Sequence, residues 1–464
     1  MAAGANLSRI RGSGELRFAA GNSPPSDRRD RSCQRDPVTP LVATINVVSG
    51  SCDDVPMARA TTDWHTHMPA VYLDQWVWIR FARVIGREPE KRSDVTVFEA
   101  VAAAAERGVV FPLSATHYEE TARVLDPRQR VSLAAVMAPI SQLRTLRSQS
   151  DLVRHQLLVA MHEMVGRPAF RPSPPEVLGV GVHWAFRGIK AQVRVLDPSG
   201  QIQDVDPSWL RHASQFFEAQ ILAGPGDHEI EGLRRIGYIS TREVEERPGN
   251  RLAWERAFAE KLKDESPSRA ELRVWLLARE LMHEYSDLLD RVLREYRLTF
   301  AAIAGSSNEK ASRRRAVEFA ERIPTLRIAA DMKLEVFRNP GRGWSLNMLR
   351  DIDALSVALP YCRAVIADRD AAALVQRSSA PRRYGSVVTH ELSQIPELLE
   401  DLAAEASASI ESDRAGWDAV GPGEGFRYDQ PERLVREGLP PGCVVRLCGP
   451  DGPLTRATHD PSRH

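Results

Sequence analysis

The sequence predicts an α/β fold in which a parallel sheet, flanked by helices, is interrupted by a large and mainly helical insertion. Two short apolar runs, at 70–73 and 364–367, each end in an aspartate. Runs of this kind are typical of strands buried on both faces of a parallel sheet. Between them, from about 126 to 340, apolar residues recur mostly with helical spacing. The two runs therefore predict two halves of one sheet, separated by the insertion.

Composition indicates a globular protein without a dominant charge. The chain has 464 residues, of which 43% are hydrophobic, enough for more than one packed core. Its 62 basic residues balance 62 acidic ones, so any site for a polyanion must be a local patch. The five scattered cysteines without C-x-x-C spacing disfavour a disulfide framework or a zinc site and favour a reducing cytoplasm. No apolar run predicts a membrane span or a signal peptide.

The two ends of the chain are expected to add little to the fold. Residues 1–68 are rich in Gly, Ser, Pro, Arg and Asp, which predicts a disordered extension with at most an isolated strand over 41–48. Residues 412–464 are similarly rich in Gly, Pro and charge. They predict a loosely ordered extension with a short strand near 444–447.

The first half of the sheet domain is expected over residues 69–125. The strand that ends at Asp74 leads into an apolar helix, and a second, Ala-rich helix follows. Residues 109–113 predict the next strand. Ser114 then follows as a helix N-cap, and the helix that it begins carries Glu119 and Glu120.

The insertion is assigned to residues 126–343. Amphipathic spacing predicts helices at 129–148, 150–164, 207–222, 251–264, 268–303 and 308–322. A turn signature at 197–200 predicts a small hairpin between 191–196 and 201–203.

The second half of the sheet domain is assigned to residues 344–411. A helix over 344–359 is expected to end at Pro360, and the strand over 364–367 follows it. A helix over 369–377, a strand over 385–388 and a closing helix over 397–408 complete this half.

Three segments resemble the four acidic motifs of the PIN domain, the fold of many metal-dependent ribonucleases and of toxin nucleases in bacterial toxin–antitoxin pairs. VYLDQWVWI resembles the first motif and SATHYEETA the second. NMLRDIDALSVALPYCRAVIADRDAAAL resembles the third and fourth. More narrowly, these segments are similar to a bacterial group of large PIN-like proteins. The resemblance covers about 71–125 and 344–390, roughly a third of the chain.

The resemblance implies a site of four carboxylates, which would be catalytic residues and ligands of Mg²⁺ or Mn²⁺. They are Asp74, Glu120, Asp351 and Asp368. Hard divalent cations prefer oxygen ligands and supply both an activated water and charge neutralisation in phosphodiester hydrolysis. The implied function is endoribonuclease activity in toxin or phage-defence biology, with single-stranded RNA as substrate and an antitoxin-like protein as partner.

Neighbouring acids leave alternatives at three of the four positions. Glu119 and Glu120 lie about 100° apart on a helix, so at most one faces the crevice, and the family spacing favours Glu120. Asp351 is preferred to Asp353, since it shares a face with apolar residues. Asp368 is preferred to Asp370 because it follows the strand directly. Each of these acids has a structural alternative, as a helix cap or a solvated surface charge.

Two departures from the family motifs favour a second hypothesis, a degenerate PIN-like protein that binds nucleic acid or protein. Gln75 and Trp76 follow the first aspartate, where a small hydroxyl residue and Asn are usual. Ile366 and Ala367 precede the last aspartate, where a Thr or Ser is usual.

Further polar residues could assist such a site. Asn347 and His117 lie near the motifs and either contact phosphate or are ordinary helix residues. The clusters at 313–315 and 382–383 are all Arg and either follow a nucleic-acid backbone or are solvated.

Overall fold

The computed structural model describes the chain chiefly between residues 66 and 412. The described stretches are 66–167, 172–196, 206–224, 246–306, 308–339 and 341–412, together with short strands at 16–19, 42–47, 202–203, 448–449 and 452–453. The rest of both extensions, 1–68 and 412–464, lies outside the described residues.

The strands, in chain order, are β1 (Leu16–Ala19), β2 (Val42–Val47), β3 (Val71–Leu73), β4 (Arg144–Leu146), β5 (Leu178–Val180), β6 (Ala191–Leu196), β7 (Ile202–Gln203), β8 (Ala364–Ile366), β9 (Val387–Thr389), β10 (Cys448–Gly449) and β11 (Gly452–Pro453).

The helices are α1 (Gln75–Ile85), α2 (Arg92–Glu106), α3 (Ala115–Arg123), α4 (Pro127–Ser141), α5 (Gln149–Met164), α6 (Gly181–Arg187), α7 (Pro207–Ala223), α8 (Glu246–Glu265), α9 (Arg269–Arg279), α10 (Ser286–Glu295), α11 (Phe300–Ala304), α12 (Glu309–Glu321), α13 (Pro324–Phe337), α14 (Leu346–Tyr361), α15 (Arg369–Gln376), α16 (Ala380–Tyr384) and α17 (Ile395–Ser412). A π-helical turn spans Glu280–Glu284, and a 3₁₀ turn spans Leu392–Gln394.

A small parallel sheet joins the two predicted halves. Strand β8 lies between β3 and β9, parallel to both. Parallel bridges from Ala70 to Val110 and from Leu113 to Thr145 extend the pairing through residues 109–113 to β4. The five segments therefore lie in the order third, second, first, fourth, fifth along the chain. This is the order of a doubly wound sheet, whose direction of winding reverses between β3 and β8.

The sheet has an apolar core on each face. Val71 and Leu73 face a core that includes helices α1, α2, α4 and α17. Tyr72 and Val365 face the opposite core, which includes α13 and α14. Because successive strand residues point to opposite faces, a strand buried on both faces must be apolar throughout. This explains the uninterrupted apolar runs in the sequence.

A third core packs the helices of the insertion. It includes apolar residues of α5, α9, α10, α12 and α13. A charged group is also buried there, since the Lys333 side chain is only 1% exposed. Its Nζ donates to carboxylate oxygens of Glu255 and Glu280, each at 2.6 Å. This triad connects α8, the π-helical turn and α13.

The strands of an antiparallel sheet come from segments that lie far apart in sequence. Its order is β11–β10–β1–β2–β6–β7. The hairpin predicted over 191–203 corresponds to β6 and β7, which pair antiparallel. Strand β2 agrees closely with the run at 41–48 but is not isolated, because it pairs with β1 and β6. The strand predicted near 444–447 lies outside the described residues, just before β10.

Two predicted helices of the insertion were wrong in extent. The helix predicted over 129–148 ends at Ser141, because Gln142 and Leu143 have positive φ angles of 51° and 57° and Arg144–Leu146 is strand β4. The segment 268–303 is three helices and a π-helical turn rather than one helix. Helical spacing persists across such breaks, so periodicity alone does not locate them.

Two further differences concern buried helix segments. The sequence analysis assigned no helix to Pro324–Phe337, which is α13. Its residues face two cores and are buried nearly all round, so the amphipathic pattern is lost. Pro360 does not end the preceding helix, since it lies within α14, which continues to Tyr361. None of the described helices is long and apolar enough to span a membrane.

Candidate functional site

The two Asp-ended strands lie side by side, at the point where the winding of the sheet reverses. Ligands of such sheets bind outside the carboxyl ends of the strands at this point. The backbone N–H of Asp74 donates to the carbonyl oxygen of Ile366 at 2.9 Å, which continues the pairing of β3 with β8. Asp74 and Asp368 therefore follow adjacent strands at the same edge.

Each aspartate also begins a helix. Asp74 Oδ1 accepts a hydrogen bond from the backbone N–H of Gln75 at 2.8 Å, as N-cap of α1. Asp368 Oδ1 accepts one from the N–H of Ala371 at 2.7 Å, as N-cap of α15. The positive ends of two helix dipoles therefore meet at this edge and favour negative charge there. Both side chains remain partly exposed to solvent.

Asp351 projects towards these aspartates from α14, whereas Asp353 does not. The charges of Asp74, Asp368 and Glu120 all raise the pKa of Asp351. Asp353 instead accepts two hydrogen bonds from Arg251, at 2.7 and 2.9 Å. The structure therefore brings Asp351 to the cluster and leaves Asp353 in an ion pair.

Glu120 and Glu119 also differ in their charged neighbours. The charge of Asp74 raises the pKa of Glu120, whereas the charge of Asp353 raises that of Glu119. The two glutamates point in different directions from α3, as their helical spacing requires. Of the two, Glu120 lies with the cluster.

The pKa values of three carboxyl groups in the cluster are raised above their ordinary values. Burial, and then the charges of Asp74 and its neighbours, raise the pKa of Asp351 to about 8. Burial and the charge of Asp74 raise the pKa of Glu120 to about 8. Burial and, to a smaller extent, the charge of Asp368 raise the pKa of Asp74 to about 6. Each shift reflects the cost of placing like charges close together away from water.

No family model, curated protein or solved structure matches the chain. The assignment of the site therefore depends on its own chemistry and on the motif resemblance. The four side chains Asp74, Glu120, Asp351 and Asp368 suit a hard divalent cation in donor type, because all of them offer carboxylate oxygens. In the described part of the chain, however, no three His, Cys, Asp or Glu side chains stand in positions to hold a metal together. The side chains would have to draw closer around a cation.

A buried hydrogen-bond network joins the elements that carry Glu120 and Asp74. His117 is only 1% exposed, and its Nδ1 accepts a hydrogen bond from the backbone N–H of Ser114 at 3.0 Å. The Nε2 proton is therefore available to the carbonyl oxygen of Leu73, at 2.8 Å. Burial lowers the pKa of His117 to about 4, so the ring is neutral. His117 thus connects α3 to the strand before Asp74 and does not face a substrate.

Gln75 makes a second connection between the motifs. Its Nε2 donates to Thr121 Oγ1 at 3.1 Å, next to Glu120 in α3. Gln75 therefore fixes α1 against the helix that carries Glu120.

Asp370 and Asn347 also lie near the motifs, and each contacts an arginine at the surface. The Asp370 side chain is 81% exposed and pairs with Arg342 at 3.2 Å. Asn347 is exposed, and its Oδ1 accepts a hydrogen bond from Arg350 at 3.0 Å. Neither residue is drawn into the cluster.

Arg123 is a candidate site residue that the sequence analysis missed. Its positive charge lowers the pKa values of both Glu119 and Glu120. Its Nε and Nη1 are buried without a hydrogen-bond partner in the described structure. An unpaired guanidinium beside an acidic cluster can bind phosphate. Arg123 lies three residues after Glu120 in α3, and this spacing could have indicated in the sequence that the two side chains are neighbours.

Proposed function

We propose that the chain is a PIN-like endoribonuclease that hydrolyses RNA phosphodiester bonds with the help of Mg²⁺ or Mn²⁺. The observation that carries the proposal is the placement of Asp74 and Asp368 after adjacent parallel strands at the reversal point of the sheet, with the acidic side chains of Glu120 and Asp351 close by. Carboxylates that repel one another in a partly buried cluster are unfavourable for folding alone, and such perturbed groups mark functional sites.

The residues would have different roles in hydrolysis. In the reaction a water oxygen bonds to phosphorus, the P–O ester bond breaks, and the leaving oxygen gains a proton. A bound divalent cation would supply an activated water and neutralise charge on the phosphate. Asp74 and Asp368, placed by the two strands, would provide fixed carboxylate oxygens. Glu120 and Asp351 would release their protons when the site is occupied, since their raised pKa values arise partly from repulsion.

Arg123 would contribute to the binding of substrate. The positive charge of its guanidinium, which lies beside Glu119 and Glu120, would attract a phosphate oxygen. A scissile phosphate would then lie between a cation-binding face and a guanidinium.

Cleavage of labelled single-stranded RNA in the presence of Mn²⁺ tests the proposal. We expect cleavage by the wild-type protein and its loss in Asp74→Asn and Asp368→Asn. Asp370→Asn is the matched control, because Asp370 follows the same strand but is 81% exposed and paired with Arg342. Equal loss in the control would indicate a general defect of folding.

A degenerate PIN-like protein that binds RNA or a protein is the second candidate. It is favoured by the lack of three metal-competent side chains within the described residues. The apolar pair Ile366–Ala367 before Asp368 favours it as well. In that case RNA binding would be equal with and without Mn²⁺, and no cleavage would occur.

A further inference from the structure

A second polar site lies at the other end of α15 from Asp368. It is a cavity of about 330 Å³ between α9, α13 and the segment that joins α15 to α16. The nine residues from Asp368 to Arg377 span about 13 Å of helix, so the cavity is separate from the carboxylate cluster. Five arginines line it: Arg269, Arg273, Arg327, Arg377 and Arg382.

Two acidic residues line the same cavity, and both are already paired. Asp331 Oδ1 accepts a hydrogen bond from Arg273 at 2.7 Å. Glu335 Oε1 accepts one from Arg269 at 2.8 Å. These ion pairs largely neutralise both carboxylates. The charges of the remaining arginines therefore make the cavity positive.

Arg377 and Arg382 form no ion pair with any residue that the structure describes. Both are exposed residues at the mouth of the cavity, before and within α16. Their guanidinium groups are free to turn towards an anion without disturbing the core.

Arg327 is the least exposed arginine of the cavity. Its side chain is only 12% exposed, yet its Nε has no hydrogen-bond partner among the described residues. The nearest carboxylate oxygen, Asp331 Oδ2, lies 3.9 Å away, too far for a hydrogen bond. Nη2 donates only to the Ser379 hydroxyl, at 3.4 Å. Burial lowers the pKa of Arg327, and the positive charges of Arg383 and Arg273 lower it further.

Among the described residues the Arg327 guanidinium makes one long hydrogen bond, to Ser379, so an anion within reach of its Nη groups would stabilise it. A phosphate group offers several acceptor oxygens and two negative charges, and Arg matches it with paired N–H donors. The cavity volume lies in the range of small-molecule sites. The cavity is partly open to solvent between the helices, and its size suits a small ligand.

We propose that this cavity binds the phosphate group of a small phosphorylated molecule through Arg327, Arg377 and Arg382. The proposal does not depend on nuclease activity, because none of these arginines belongs to the carboxylate cluster. Its ligand is either free phosphate or a molecule that carries a terminal phosphate, such as a nucleotide.

Calorimetric titration of the full chain with inorganic phosphate, and separately with adenosine monophosphate, tests the proposal at low ionic strength. We expect saturable binding at one site and at least a roughly tenfold loss of affinity in the Arg377→Gln/Arg382→Gln double variant. Arg327→Gln should cause a loss of similar size. Arg314→Gln, at an exposed position of α12, is the matched control and should bind as the wild type does.

The two probes distinguish the source of the phosphate. Tighter binding of the nucleotide supports a nucleotide site, and equal binding supports a site for phosphate alone. The exposed pair Arg377 and Arg382 keeps the test valid if Arg327→Gln fails to fold, as judged by circular dichroism. The absence of saturable binding in the wild type, or unchanged affinity in the double variant, would overturn the proposal. So would an RNA oligonucleotide that binds at these arginines much more tightly than the nucleotide.

Discussion

Arg251 donates hydrogen bonds to both carboxylate oxygens of Asp353, two residues after Asp351 in the same helix. This ion pair distinguishes two acids that look equivalent in sequence. Asp353 is neutralised by a residue of the insertion, whereas the pKa of Asp351 is raised by three other carboxylates. The insertion therefore takes part in defining the site.

The first prediction compares these two acids. Asp351→Asn should lower Mn²⁺-dependent RNA cleavage roughly 100-fold or more, since it removes a proposed ligand. Asp353→Asn should retain cleavage within about tenfold but reduce the free energy of unfolding by about 1–2 kcal/mol, because it leaves Arg251 partly unpaired. Cleavage rates and urea unfolding of both variants measure this. The reverse pattern would assign the site to Asp353.

The second prediction compares Glu120 with Glu119. Glu120→Gln should weaken Mn²⁺ binding by at least about tenfold, whereas Glu119→Gln should change it little, because only Glu120 is coupled to Asp74. Titration with Mn²⁺ followed by electron paramagnetic resonance measures the free metal. Equal affinities in the two variants would contradict the assignment.

The third prediction concerns the pH dependence of the metal-free protein. The pKa values of Asp351 and Glu120 are raised from 3.8 and 4.5 to about 8. Between about pH 4 and 8 the folded protein therefore holds protons that the unfolded chain has released, and its stability falls as pH rises. The contribution of these groups is complete below about pH 4 and is lost as pH passes 8.

Asp351→Asn removes one of these charges. At pH 8 it should raise the free energy of unfolding of the metal-free protein by about 1–3 kcal/mol, while it abolishes cleavage. Thermal unfolding in a chelator at pH 5 and pH 8 measures the difference. A variant that is destabilised at pH 8 would show that Asp351 is not under repulsion.

The fourth prediction concerns Arg123. Arg123→Gln should reduce cleavage about tenfold through loss of phosphate binding, with Mn²⁺ affinity maintained. Arg123→Lys should recover part of the activity, because it restores the charge without the paired donors. Steady-state kinetics of both variants measure this. If Arg123→Gln lowered Mn²⁺ affinity as much as cleavage, Arg123 would act on the carboxylates instead.

The fifth prediction concerns the buried triad of the insertion. Lys333→Met should reduce the free energy of unfolding by about 3–5 kcal/mol, since it removes the cation that both buried carboxylates share and leaves, among the described residues, only Arg279, 3.3 Å from Glu255. The triple change with Glu255→Gln and Glu280→Gln should recover much of this loss. Urea unfolding measures both. A small effect of Lys333→Met alone would mean that the carboxylates become protonated at little cost.

The strands that carry Asp74 and Asp368 were predictable from sequence, and the reason is physical. A strand buried on both faces of a sheet must be apolar throughout, so it stands out from its surroundings. Ser114 likewise marked the start of α3, because hydroxyl residues are common at helix N-caps. Its hydroxyl contacts Tyr72 and His117, each at 3.2 Å.

The insertion was less predictable because tertiary contacts define it. The strand β4 follows α4 only because Gln142 and Leu143 adopt positive φ angles, which no local pattern announces. The helix α13 lost its amphipathic signal through burial between two cores. Arg251 could not be assigned to the site, since it reaches Asp353 from a distant part of the chain.

The central claim is that four carboxylates share one divalent cation at the reversal point of the sheet. Anomalous diffraction from crystals of the full chain grown with Mn²⁺ tests it most directly. The account predicts a peak within about 2–2.6 Å of oxygens of Asp74, Asp351 and Asp368, with Glu120 bound directly or through water. A crevice without such a peak, in which these carboxylates stay more than about 8 Å apart, would contradict it.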